Sequence, residues 1–189
     1  MAGCQKPKAD LTVAGSTSVE PFAEVLAEEY MKLHPGTRIY IQGGGSSAGI
    51  EAVRTSAAHI GMSSRNLMAD EKGLVAIPIA YDAIAVIVHP SNPIADLSME
   101  QVRKIFSGQI TNWRDLGGLP HPITLVTREE GSGTREAFQH LIMGRAEISL
   151  RALVQDSNGA IRQVVADDRH AMGYLSPGAR GSTGQSTPH

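Results

Sequence analysis

A single cysteine, Cys4, in 189 residues leaves no room for an internal disulfide or a thiolate metal cluster. Aromatic side chains are scarce, at 4%, and cannot furnish the stacking platforms that hold single-stranded nucleic acid. The formal net charge is -2 and no Lys/Arg-rich run occurs, which argues against a grip on nucleic-acid phosphates. No stretch approaches the roughly 20 apolar residues of a membrane-spanning helix. His34, His59, His89, His121, His140 and His170 never fall two or four residues apart and form no carboxylate-histidine cluster, so no metal is expected.

What is present is a regular alternation. A β-type run at 11–14 passes through Gly15-Ser16-Thr17-Ser18 into a helical pattern over 19–33, where Phe22, Val25, Leu26, Tyr30 and Leu33 share one face. A second run, 38–41, leads through Gly43-Gly44-Gly45-Ser46-Ser47 to a helix over 49–55. A third short strand ends in Met62-Ser63-Ser64-Arg65. Two apolar runs, 75–80 and 83–89, flank Tyr81-Asp82, and the second is apolar enough for a central strand. Ser98-Met99-Glu100-Gln101 forms a capping box for a helix that Gly108 stops. The run 123–126 enters T-R-E-E-G-S-G-T and a helix over 135–144; a helix near 158–166 and a strand at 172–175 close the pattern. Alternating strands and helices predict an α/β fold with a largely parallel sheet. Residues 177–189, rich in Gly, Ser, Thr and Pro, are expected to be disordered.

The three Gly/Ser/Thr corners are the functional signal. A helix N-terminus offers free N–H groups and about half a positive charge, and glycine with hydroxyl residues there makes an anion site. One corner alone reads as a capped helix. Three, all following strands of a parallel sheet, converge on the carboxyl edge where open α/β folds place ligands. Arg65 and Arg128 can each add a forked donor pair.

Two other chemistries are weighed against this. A nucleotide site fails, because no corner carries the lysine of G-x-x-x-x-G-K-[ST], nor G-x-G-x-x-G with an acidic residue about 20 positions on. A serine hydrolase is the rival reading: Gly45-Ser46-Ser47-Ala48-Gly49 matches the G-x-S-x-G elbow, with Asp156, Asp167 or Asp168 and His170 as partners. Ser47→Ala would abolish such a hydrolase, whereas Arg128→Ala would abolish anion binding. Asp82 is either a turn residue at a domain crossover or an isolated functional carboxylate.

With its corners assembled, the chain resembles the phosphate-binding subunit of bacterial phosphate ABC transporters over residues 11–176. The motifs that carry the resemblance are Ala14-Gly15-Ser16-Thr17-Ser18, Gly44-Gly45-Ser46-Ser47-Ala48-Gly49, Ile60-Gly61-Met62-Ser63-Ser64-Arg65, the block from Lys104 to Trp113, and Arg128 with Gly131-Ser132-Gly133-Thr134. The resemblance implies a two-lobed α/β binding protein of the type II periplasmic class, with lobes at 10–82 and 83–176. It implies capture of phosphate without chemistry, without a cofactor, and delivery to the permease subunits of an ABC transporter. The resemblance implies Thr17, Ser18, Ser46, Ser64, Arg128, Ser132, Gly133 and Thr134 as anion ligands, and the reading of the corners and charges adds Ser16, Ser47, Arg65 and Asp82 as candidates. Some members of the family carry an aspartate where Ser64 stands; a carboxylate accepts the proton that phosphate has and sulfate lacks. With Ser64 there, the acceptor must come from elsewhere, Asp82 or a backbone carbonyl, and sulfate or molybdate stays open as the ligand.

Two further expectations concern the chain's ends. Met1-Ala2-Gly3-Cys4, followed by Gln5-Lys6-Pro7-Lys8, has the form of a bacterial lipoprotein cleavage site, and the alternative is an incidental cysteine in a flexible tail over 1–9. Lipidation at Cys4 would hold the protein in the periplasm or at the cell surface. Members of the family return to the first lobe after a strand like 172–175, and that return is not in this sequence. Lobe 1 is therefore expected to expose apolar surface, with low stability or association as the outcome.

Overall fold

The computed structural model describes residues 10–177; Cys4, with its lipidation reading, and residues 178–189 lie outside them. Strand β1 (Leu11–Gly15) sits at the centre of a three-stranded parallel sheet, between β2 (Ile39–Gly43) and β3 (Ile60–Met62). Gly15 pairs with Gly43 on one side and with Met62 on the other, so all three strands finish at one level. Their corners consequently emerge side by side, as the carboxyl edge of a parallel sheet requires. Gly15 has a φ of 138°, and a Cβ on it would collide with the Met62 carbonyl oxygen. The next residue then donates its Ser16 N–H to that same carbonyl at 2.9 Å.

Helices α1 (Glu20–Leu33) and α2 (Ser46–Arg54) follow β1 and β2. Helix α2 starts at Ser46, three residues earlier than the pattern predicts, because Gly45, at φ 87°, turns the chain and leaves Ser46 and Ser47 inside the first turn. The apolar face expected of α1 is not a core face. Val25, Leu26, Tyr30 and Leu33 are exposed, and only Ala27 is buried.

The second sheet has four strands, β4 (Ala85–Val88), β5 (Thr124–Arg128), β6 (Leu153–Gln155) and β7 (Ala171–Leu175), in the order β4-β7-β5-β6. Strand β5 runs parallel to β6 and β7, while β4 lies antiparallel on β7. The apolar run at 83–89 thus makes an edge strand and not a central one; its residues are half-buried. The run at 75–80 joins no strand at all. Val75, Ile77, Ile79 and Tyr81 stand exposed along an extended connection.

Helix α3 (Met99–Phe106) has the expected capping box: Ser98 Oγ accepts from the Gln101 N–H and Gln101 Oε1 from the Ser98 N–H. Gly108, at φ 79°, ends the turn after it. Helix α4 (Gly133–Phe138) is shorter than expected, because the chain widens into a π-type turn over Gln139–Met143; α5 (Asn158–Asp167) follows β6. The core between these helices and β7 is aromatic. Phe138 stacks on Tyr174 with centroids 3.8 Å apart, and Phe106 meets both edge-on. Trp113, buried, donates its indole N–H to the His170 carbonyl at 3.0 Å, pinning the loop after α3 to the start of β7.

Candidate functional site

The hydroxyl corners meet. Ser16 Oγ donates to Ser64 Oγ at 3.0 Å; Ser46 Oγ lies 3.3 Å from Ser64 Oγ and accepts from the Ser64 N–H at 3.1 Å. These contacts follow from strands that end in register.

From the second sheet comes the corner after β5. Ser132 caps α4 by accepting from the Arg135 N–H at 3.2 Å. Thr134 Oγ1 lies 2.8 Å from Ser18 Oγ, across the cleft. Gly133 is what permits this approach, since a Cβ there would run into the Ser46 and Ser64 hydroxyls. The backbones also touch: the Ser47 N–H donates to the Gly131 carbonyl at 3.3 Å. Ser16, Ser18, Ser46, Ser132 and Thr134 are all buried. Several of these hydroxyls are partnered by one another, so each can rotate its O–H toward an acceptor placed among them.

Arg128, the last residue of β5, is 1% exposed. Its Nε and Nη2 donate to the two Glu129 carboxylate oxygens, each at 2.9 Å. Nη2 also reaches Thr17 Oγ1 and the Asp156 carbonyl, both at 3.1 Å, and Nη1 donates to Asn158 Oδ1 at 3.0 Å. A guanidinium this deeply buried needs a counter-charge, and Glu129 supplies it. Asn158, the first residue of α5, returns Nδ2 to Ser18 Oγ at 3.0 Å. It therefore joins the arginine to the first corner. Sequence reasoning missed both Asn158 and the role of Glu129; nothing in the spacing ties residue 158 to residues 18 and 128.

Two expected ligands are placed otherwise. Arg65 spends its guanidinium on carboxylates: Nη1 and Nη2 bond Glu71 at 2.8 and 2.6 Å, and Nε lies 2.8 Å from Glu136. Nη1 also reaches the Asn66 carbonyl, and Nη2 reaches Ser47 Oγ. Hydrogen bonds from Arg65 hold the Glu71 carboxyl down at about 2, against burial, which pushes it up. Asp82 is exposed and accepts only from the next N–H, that of Ala83, as a turn residue does.

The hydrolase partners do not gather. Ser47 Oγ contacts Arg65, Asp167 bonds Gln163, Asp168 accepts from the His170 N–H, and the His170 ring stacks on His121. Among the described residues no group of three or more His, Cys, Asp or Glu could hold a metal ion, and no helix is long and apolar enough to cross a membrane. With both arginines paired to carboxylates, the free capacity of the cleft lies in neutral O–H and N–H donors.

Comparison with known proteins agrees with this geometry. The sequence profile of the PBP superfamily domain matches residues 2–187. The phosphate-binding protein PstS of Bacillus subtilis is 35% identical over 180 residues, which cover 92% of this chain and 59% of that protein. The chain spans about three fifths of the length of such curated relatives. A Clostridium perfringens protein described as a phosphate ABC transporter substrate-binding protein, solved with bound phosphate, is 43% identical with a TM-score of 0.85. The match covers 88% of this chain and 70% of that one. An ABC-type phosphate transport receptor of Vibrio cholerae is 40% identical with a TM-score of 0.69, over 88% of this chain and 71% of that one. The fold is that of a type II two-lobed binding protein, mixed α/β with parallel strands.

Proposed function

From the premise that the chain belongs to the PBP superfamily, we propose that it captures inorganic phosphate, or a related tetrahedral oxyanion, between lobes at 10–82 and 83–176. It then delivers the anion to the permease subunits of an ABC transporter. The ligands are the hydroxyls of Ser16, Thr17, Ser18, Ser46, Ser64, Ser132 and Thr134 and the Gly133 N–H, with Arg128 behind them. Ser47 stands at the rim. The observation that carries this reading is the convergence of hydroxyl corners from both sheets on one buried, charge-balanced arginine. Bound phosphate in the 43%-identical relative supports the choice of anion.

The protein acts as a binder and not as a hydrolase: Ser47 faces a guanidinium, and among the described residues no histidine is hydrogen-bonded to it. Closure of the lobes is the signal a transporter reads. That role places the protein outside the cytoplasmic membrane, anchored through Cys4 if that residue is lipidated.

Calorimetric titration with phosphate, sulfate, arsenate and molybdate across a pH range tests the proposal. Phosphate binding well below millimolar, lost in Arg128→Ala, is the expected result. If none of the four anions binds below roughly millimolar, the reading fails.

A further inference from the structure

Arg65 has a place in this cleft that its sequence position does not suggest. Its side chain is 4% exposed, and most of its bonds stay inside the first lobe: Glu71 on Nη1 and Nη2, the Asn66 carbonyl at 2.9 Å, Ser47 Oγ at 3.3 Å. Glu71 is fixed in turn by the Met68 N–H at 2.7 Å. Together they make a rigid socket whose shape does not depend on the other lobe. One edge of the guanidinium remains. Its Nε is buried and has no aligned hydrogen-bond acceptor, yet it lies 2.8 Å from Glu136 Oε2, on α4 of the opposite lobe. That carboxylate is 42% exposed, so closing the pair desolvates little on its side.

The two halves differ in what opening does to them. If the lobes part, Arg65 keeps Glu71 and loses only Glu136, which returns to water. Glu136 is two residues beyond Thr134, on the helix that carries the third corner, so its pull draws that corner toward Ser18 and Ser46. Among the corner hydroxyls Arg65 reaches only Ser47, at the rim, and neither side chain bonds Ser16, Ser18, Ser46, Ser64, Ser132 or Thr134. We propose that Arg65 and Glu136 form a closure latch: a positioning pair that raises the closed population before any anion binds, and so sets the affinity without contacting the ligand. Apparent affinity scales with the fraction of protein already competent to bind. The affinity consequence rests on the anion reading above; the latch itself does not.

The test compares the parent protein with Glu136→Gln and Glu136→Asp, each labelled for single-molecule energy transfer at Glu24→Cys and Arg114→Cys, both exposed, with Cys4→Ser. Without anion, Glu136→Gln is expected to lower the closed-to-open ratio about two- to fivefold, the range for a partly exposed ion pair. Glu136→Asp should restore part of it. Raising salt should lower the parent's closed fraction and leave that of Glu136→Gln unchanged. Phosphate Kd should rise in Glu136→Gln by the factor by which the closed fraction falls. An unchanged closed fraction in Glu136→Gln overturns the latch, and so does a change in Kd with no change in closed fraction, which would make Glu136 an anion-site residue. A fall in closed fraction in a protein that binds no phosphate would uphold the latch while removing the phosphate reading.

Discussion

The Ser18 hydroxyl lies 2.8 Å from the Thr134 hydroxyl, 116 positions along the chain, and both side chains are buried. Ser18 also takes the Asn158 amide at 3.0 Å. Thr134→Val keeps the shape and removes the hydroxyl, leaving Ser18 facing a methyl group. A buried polar group stripped of a partner costs about 1–3 kcal/mol. The expected outcome is a phosphate affinity lower by about tenfold or more in calorimetry, with the unliganded thermal midpoint lowered by about 2–4 °C for each kcal/mol lost. Equal affinity would mean that the two corners do not act together.

On the proposed reading, Ser64 governs the choice between protonated and unprotonated anions. Its Oγ already accepts from Ser16, so its own O–H is left to donate. A site of donors tolerates sulfate as readily as phosphate. In the parent, sulfate is expected to bind within about tenfold of phosphate, about 1.4 kcal/mol. Ser64→Asp supplies a carboxylate that accepts the phosphate proton and repels sulfate, and competition titrations should show sulfate binding selectively lost. Sulfate retained in Ser64→Asp would place the discriminating contact elsewhere.

The three corners were legible because glycine and hydroxyl residues at strand ends are a local signal, and Ser16, Ser18, Ser46, Ser132 and Thr134 all lie together. Strand and helix order was legible in part from periodicity: β6 (Leu153–Gln155) is too short to show a pattern, and the apolar run at 75–80 joins no strand. The charge pairing was not legible: Arg128 with Asn158 and Arg65 with Glu136 meet by tertiary approach, and the local partners Glu129 and Glu71 look like solvated loop carboxylates in the sequence. Asp82 looked isolated between apolar runs, and a turn residue looks the same in sequence. Periodicity also misled over α1, whose apolar face the pattern assigns to a core. Amphipathicity shows which face is apolar but not what covers it.

Glu71 makes stability pH-dependent. Its carboxyl sits at about 2 in the folded protein, against an ordinary value of 4.5, chiefly through its hydrogen bonds from Arg65. A depressed folded value means the unfolded chain takes up the proton first. The stabilisation is therefore complete above about pH 4.5 and is lost as the pH falls toward 2. Thermal midpoints should show Glu71→Gln well below the parent at pH 7, with the gap narrowing by pH 3. A constant gap across that range would show that the Glu71 carboxyl takes up its proton at the same pH in the folded and unfolded chain.

The extended connection bearing Val75, Ile77, Ile79 and Tyr81 exposes apolar side chains without strand partners. Patches of this kind bind amphiphilic dyes. Ile77→Asp together with Ile79→Asp is expected to lower the fluorescence of a bound naphthalene-sulfonate dye several-fold while leaving the phosphate titration as it was. Dye binding unaffected by both substitutions would locate the accessible surface on α1 instead.

The distance in sequence between Ser18 and Thr134 also has a kinetic meaning. The first sheet can assemble from neighbouring strand-helix units and the second needs β4 to find β7, but the contact over 116 positions needs both sheets in place before its loop-closure entropy is repaid. The cleft is then expected to appear last during folding. Interactions absent from the folding transition state act on the unfolding rate alone. An anion that bridges the lobes would accordingly lengthen the life of the native protein without hastening its formation, so that occupancy, and not speed of folding, governs how long a molecule survives proteolysis.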